Sequence, residues 1–314
     1  MRYNRLGRTS IIVSRLCLGV LTVGPLQANL PVEEGARVIK HALEGGVTFL
    51  DTAEAYDTYP YIKKALQDTQ VRPVIATKSY AYTREGMKES LERAREALGL
   101  KTIDIFLLHE QESEYTLKGH SEALKYLVEA KDKGLVRAVG MSTHSVRGVM
   151  AGAQHPEIDV IHPLINMGGL GIMDGSREQM MAAIILAHRQ GKGIYAMKTL
   201  GGGNLLPRAK EAFRFVRDLP YVDAMAVGMK TTDEVDLNLA WMEGREWPEL
   251  EVKVGSQRRR LHIEDWCSGC GSCIDNCRYQ ALYLEAEQVR VQADKCILCG
   301  YCSRYCPDFC IKVI

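Results

Sequence analysis

Cysteine is nearly missing from most of this chain: the first 266 of its 314 residues hold one, Cys17. Aromatic residues are also sparse at 7%, and the net charge is only +1. Without long basic blocks, nucleic acid is not an expected partner. No apolar stretch approaches the roughly eighteen residues of a membrane span, so no membrane is expected either. The opening Met1-Arg2-Tyr3-Asn4-Arg5 has no apolar run of the signal-peptide kind, and a cytoplasmic location is the expectation. The remaining composition, 46% hydrophobic and 25% charged, is that of a globular chain long enough for one large and one small domain.

Short apolar runs alternate with helical patterns over the first 245 residues. Candidate strands are Leu16–Val20, Thr48–Ala53, Val74–Ser79, Ile103–His109, Ala138–Thr143, Val160–Asn166, Gly193–Leu200 and Ala224–Met229. Helical spacing is legible in Met87, Leu91, Ala94 and Leu98, and again in Met180, Ala183, Ile184 and Ala187. Capping boxes are expected at Ser176 with Gln179 and at Thr231 with Glu234. Helix stops are expected at Gly45, Gly99, Gly134 and Gly191. Eight strand–helix units predict an α/β fold of the (β/α)8 barrel type over residues 1–245. An open doubly wound sheet competes, but the loop after the first strand has no Gly-x-Gly-x-x-Gly. Residues 6–13 read as a hairpin ahead of the barrel. Residues 246–262 read as a polar linker with Arg258-Arg259-Arg260 solvated, and residues 263–314 as a small α+β domain.

That small domain holds the other nine cysteines. Eight of them repeat one spacing, Cys267-x-x-Cys270-x-x-Cys273-x-x-x-Cys277 and Cys296-x-x-Cys299-x-x-Cys302-x-x-x-Cys306-Pro307. Disulfides would require an oxidising compartment. Zinc sites rarely use three cysteines evenly spaced by two. The run resembles the bacterial two-cluster ferredoxins over about fifty residues. The resemblance implies two [4Fe-4S] clusters, one on Cys267, Cys270, Cys273 and Cys306, the other on Cys296, Cys299, Cys302 and Cys277. Arg278 departs from the pattern, which has proline there. Cys310 is a ninth cysteine, read as a small buried residue beside a cluster.

In a barrel of this kind reactive groups sit at the C-terminal strand ends. The second strand runs into Asp51 and Tyr56, the third ends on Lys78 and the fourth on His109. Each alone is unremarkable: a strand-end aspartate often caps a helix, and a histidine is often a satisfied core residue. Together, with Arg5-Leu6-Gly7-Arg8-Thr9, Gly140-Met141-Ser142 and Gly201-Gly202-Gly203, they resemble the aldo-keto reductases. The resemblance implies carbonyl–alcohol interconversion on a small-molecule substrate with NADP or NAD. Tyr56 would be the general acid, with Asp51, Lys78 and His109 completing a tetrad. Lys78 is expected to lower the phenol pKa. Glu110 and Glu112, beside His109, are expected to disfavour acidic substrates.

The implied nucleotide site comprises Ser142, His162, Lys198, Lys230 and Asn238, and it departs from the family pattern. Thr143 replaces asparagine, His162 replaces glutamine, and Met197 stands where an aromatic ring commonly stacks. Glu234 would repel a 2′-phosphate unless it points away. A flavin is therefore kept as a further cofactor. The alternative function is an electron-transfer iron–sulfur protein whose barrel holds a flavin or docks a redox protein partner. A tail whose clusters only brace the fold is a third. Cys17 is expected in the core, His144 at a helix cap, His41, His155 and His188 on the surface, and Trp266 in the domain joint.

Overall fold

The computed structural model describes residues 1–67 and 69–314. A hairpin of β1 (Tyr3–Arg5) and β2 (Ile12–Ser14) opens the chain. Eight parallel strands follow: β3 (Leu16–Gly19), β4 (Phe49–Asp51), β5 (Val74–Ser79), β6 (Ile103–Leu108), β7 (Val136–Thr143), β8 (Val160–Pro163), β9 (Gly193–Ala196) and β10 (Ala224–Gly228). They close in sequence order, with β10 pairing back onto β3. The expected barrel is therefore present, each strand within a few residues of its expected bounds.

Around the barrel run α1 (Val32–Glu44), α2 (Tyr59–Gln67), α3 (Arg84–Leu98), α4 (Glu114–Gly119), α5 (Ser121–Asp132), α6 (Val146–Gln154), α7 (Arg177–Arg189), α8 (Ala209–Arg217) and α9 (Thr232–Met242). Alternation along each strand splits the core in two. Leu16, Leu18, Leu50, Ile75 and Phe106 face the helices, while Cys17, Phe49, Ala76, Ile105 and Tyr195 fill the barrel. Leu6, Ile11 and Val13 of the hairpin join the inner layer and plug its lower end. The expected apolar faces of α3 and α7 are buried. No helix among the described residues is long and apolar enough to cross a membrane.

Local chemistry sets the helix ends. Ser176 and Gln179 form a reciprocal capping box on α7. At α9 only half of the expected box forms. Thr231 accepts the Glu234 N–H, but the Glu234 carboxylate takes the amide of Lys230 instead. The cap of α6 is Ser145, which accepts from the Gly148 N–H; His144 does not cap it.

The stretch expected as a linker is built. It carries α10 (Pro248–Gly255), started by proline in its first turn and lying on α9, then β11 (Leu261–Ile263). The tail continues with α11 (Ser272–Asp275), the hairpin β12 (Leu282–Glu285) and β13 (Gln288–Val291), and β14 (Ile311–Val313). β14 returns antiparallel to β11.

The tail docks on the barrel mouth. Phe309 is buried against Leu164, Leu170, Met197, Leu205 and Ala212. Asn204 Nδ2 donates to the Ile311 carbonyl at 2.9 Å. The loop Gly201-Gly202-Gly203 has φ of +57°, +63° and +85°, and a Cβ at Gly203 would collide with the Val313 carbonyl. These glycines therefore receive the last strand of the tail. Trp266, expected in the joint, is 60% exposed.

Candidate active site

The mouth of the barrel brings the four tetrad candidates together. Lys78 and Asp51 are 1% and 5% exposed. Lys78 Nζ donates to Asp51 Oδ1 at 2.8 Å, to Oδ2 at 2.9 Å and to the Thr52 carbonyl at 2.7 Å, so all three of its protons are used. The ammonium sits 5.0 Å from the centre of the Tyr56 ring. Tyr56 Oη and His109 Nε2 lie 3.5 Å apart, a gap that one substrate oxygen can bridge from both sides.

The electrostatics differ from expectation at Tyr56. Its phenol is pushed well above 10 by burial, with Asp51, Glu110 and Tyr80 adding to the shift. The raised value is opposite to the effect expected of Lys78, whose ammonium is hydrogen-bonded to Asp51. His109 is pushed well below 6.5 by burial, then by Lys78, His144, His162 and Lys198, and is neutral at pH 7. Its Nδ1 is buried without a partner. A bare lone pair costs less there than a stranded N–H, so the Nε2–H tautomer, aimed at Tyr56, is favoured.

Two tyrosines that sequence reasoning missed hold this arrangement. Tyr195 Oη donates to Asp51 Oδ1 at 3.0 Å, and its ring stacks on His162 with centroids 3.8 Å apart. Tyr80 stacks on His109 at 4.2 Å and donates to Glu110 at 2.8 Å. The available signal for Tyr195 was a phenol inside an otherwise apolar barrel, whose hydroxyl must find a partner.

A cavity runs from Asp51, Tyr56 and His162 past Met197, Lys198 and Thr199 to Lys230, Glu234 and Asn238. Four of the five expected nucleotide residues line it. Ser142 does not: it is fully buried, and its Oγ accepts the Glu110 N–H at 2.9 Å. His162 is pushed down to about 4 by burial, partly opposed by Asp51. Its Nδ1 lies 2.6 Å from the Tyr195 carbonyl, which fixes the proton there and leaves Nε2 as an acceptor, 3.7 Å from Asp51 Oδ1. Thr199 Oγ1, on the cavity wall, is a buried hydroxyl without a partner, the kind of group a polar ligand satisfies. At the far end Arg259 is drawn in from the stretch expected to be solvated. Its Nη2 lies 3.1 Å from Glu234 Oε1, and both side chains are nearly buried.

In the tail, the thiols of the two expected sets lie close enough to act on one another, within and between the sets. Cys273 is pushed up to about 11 by burial and then by Cys306, Cys267 and Cys270. Cys302 is pushed up to about 12 by burial and then by Cys273, Cys299, Cys296 and Cys277. Cys277, Cys296, Cys299 and Cys302 line one cavity. Among the described residues no three His, Cys, Asp or Glu side chains converge on a single-ion site. Cys277, Cys296, Cys299 and Cys302 stand around that cavity instead. Cys310 is buried as expected, with Sγ 3.3 Å from Cys306 Sγ.

Residues 15–267 match the family model described as "Aldo/keto reductase family". The chain belongs to the aldo/keto reductase family. Residues 260–307 match a "4Fe-4S dicluster domain", so this family member carries a C-terminal ferredoxin-type domain. It is 27% identical over 177 residues to the methylglyoxal reductase DkgA of Escherichia coli K12, covering 54% of this chain and 64% of that protein. It is 28% identical over 120 residues to an aldo-keto reductase of Mycolicibacterium paratuberculosis, covering 37% and 41%. The chain thus spans about half the length of these curated relatives. Among solved structures, an aldo-keto reductase from Pseudomonas aeruginosa superposes with a TM-score of 0.66 at 25% identity, over 77% of this chain and 95% of that one. One from Bacillus halodurans gives 0.65 at 19% identity, over 82% and 97%, which is a likeness of fold alone.

Proposed function

We propose that this aldo/keto reductase family member interconverts small carbonyls and alcohols with a nicotinamide dinucleotide, using Tyr56 as general acid and base. The observation that carries the reading is the bound Asp51–Lys78 pair beneath Tyr56, at one end of a cavity that reaches Lys230 and Asn238. The dinucleotide supplies the hydride. Burial keeps the Tyr56 phenol protonated until an alkoxide, a far stronger base, develops beside it. The Nε2–H of neutral His109 steadies the same oxygen. Lys78 faces the phenolate that forms, and Tyr195 and Asp51 hold Lys78 in place. His162 Nε2 is free to accept from a carboxamide N–H. Thr199 and Lys230 are placed along the cavity for phosphate groups. Ser142 is left out of this site.

Arg259 supports NADP over NAD. Its guanidinium neutralises Glu234 and so removes the repulsion expected at that end of the cavity. The test is steady-state oxidation of NADPH and NADH by the anaerobic holoprotein with small aldehydes. Nucleotide loss that depends on aldehyde, with NADPH preferred, is expected. Arg259→Ala is expected to lower that preference about tenfold or more, as loss of a charged contact does. No oxidation of either nucleotide with any aldehyde would end the reading.

The two thiol groups are proposed as ligand sets for two [4Fe-4S] clusters, which exchange single electrons. A second reading, electron exchange with an outside redox protein, is favoured by the rim of one thiol cavity. Tyr279, Ile297, Tyr301 and Tyr305 stand exposed there beside Arg278 and Arg304. Such a surface, apolar with two arginines, suits transient docking.

A further inference from the structure

We propose that the carbonyl substrate carries an anionic group, a carboxylate remote from the reacting carbon, bound by Lys198 at the seam between barrel and tail. The inference rests on the carbonyl reading above and names the substrate class of that site.

Lys198 follows β9 in the left-handed region at φ +60°, where a side chain other than glycine is strained. It lines the cavity with Asp51, Tyr56 and His162. The ion pairs at this cavity are Lys78–Asp51 and Arg259–Glu234, and among the described residues no carboxylate pairs with Lys198. Its charge is felt on the histidines around the reacting centre, His109, His144 and His162, and burial keeps all three neutral.

A second ammonium lies close by. Lys312 Nζ sits 3.5 Å over the Phe309 ring, and Lys198 Nζ is 5.9 Å from the same ring. Lys312 is 3% exposed and donates to the Phe309 carbonyl, and burial pushes it well below the usual lysine range, so it is not free to bind. Glu264 reaches both lysines electrostatically but is 3.2 Å from His262. Glu110 is the carboxylate that most favours the charged form of Lys198. It is exposed and bonded to the Tyr80 hydroxyl, so water screens it. The wall near the reacting centre therefore carries a half-buried lysine with no carboxylate partner among the described residues; burial pulls it below the usual lysine value, and a bound anion would favour its charged form. The proposal runs against the expectation that Glu110 and Glu112 turn acids away, and the same experiment decides between them.

The experiment compares ω-oxo acids of about three to five carbons with unsubstituted aldehydes of the same length, on holoprotein with NADPH. Acid binding is also measured by calorimetry. At one length or more the acid is expected to be favoured at least about tenfold in kcat/KM. Lys198→Met is expected to collapse that ratio about tenfold to a hundredfold, mainly through the acid's KM, and Lys198→Arg to restore part of it. Equal use of acids and plain aldehydes by the wild type would overturn the proposal and leave the reductase standing. So would a Lys198→Met variant that keeps the ratio and loses nucleotide affinity, because the lysine would then serve the pyrophosphate. Calorimetric binding of the acids that needs Lys198, with no aldehyde reduced, would support the anion site and remove the reductase.

Discussion

Tyr56→Phe is expected to lower kcat for aldehyde reduction by about 10²–10⁴-fold, the usual span for losing a positioned acid. Nucleotide affinity should be unchanged, and the protein should keep about eight irons. The substitution removes one hydroxyl and retains the ring that Lys78 faces at 5.0 Å. His109 remains, but it is held neutral and its Nε2–H is a weak acid. Steady-state kinetics, a nucleotide titration and an iron assay check the three parts. A variant that turns over at the wild-type rate would remove Tyr56 from the chemistry.

Lys78→Met should cost stability as well as activity. Lys78 and Asp51 form a buried pair, so removing the cation strands a carboxylate that keeps the Tyr195 hydroxyl and faces the neutral His162 ring at 3.7 Å. Breaking one side of such a pair costs about 3–5 kcal/mol. The double variant Lys78→Met with Asp51→Asn removes the stranded charge and should regain much of that loss. It should not regain activity, because nothing then faces the Tyr56 phenolate. Denaturant midpoints and kcat for the two variants separate the structural role of the pair from its chemical one. Equal stability of Lys78→Met and wild type would contradict the buried-pair account.

The strands and most of the tetrad could be read from sequence because their signals are local. Val74–Ser79 is an apolar run between helical patterns, and it appears in the fold with the same bounds. The features that escaped depend on contacts between distant segments. Tyr195 meets Asp51 across 144 residues, so its phenol signals that a partner is needed without showing which one. Arg259 reads as one of three solvated arginines until α10 turns the chain back over α9. That helix gave no periodic signal, since Leu250 is its one buried residue. Phe309 follows a cysteine run that dominates its neighbourhood, yet its packing decides how the tail closes over the glycine loop. Trp266 shows the converse: an aromatic residue beside a domain boundary is not thereby buried.

The central claim is direct hydride transfer to a carbonyl carbon at the Tyr56 site. It is tested by supplying the anaerobic holoprotein with NADPH deuterated at the 4R or 4S position, together with an aldehyde that it consumes. The alcohol is then analysed by mass spectrometry. The account predicts one deuterium on the former carbonyl carbon from one of the two labelled nucleotides, and none from the other. Alcohol formed without deuterium from either would contradict it, because the electrons would then have reached the carbonyl by another route.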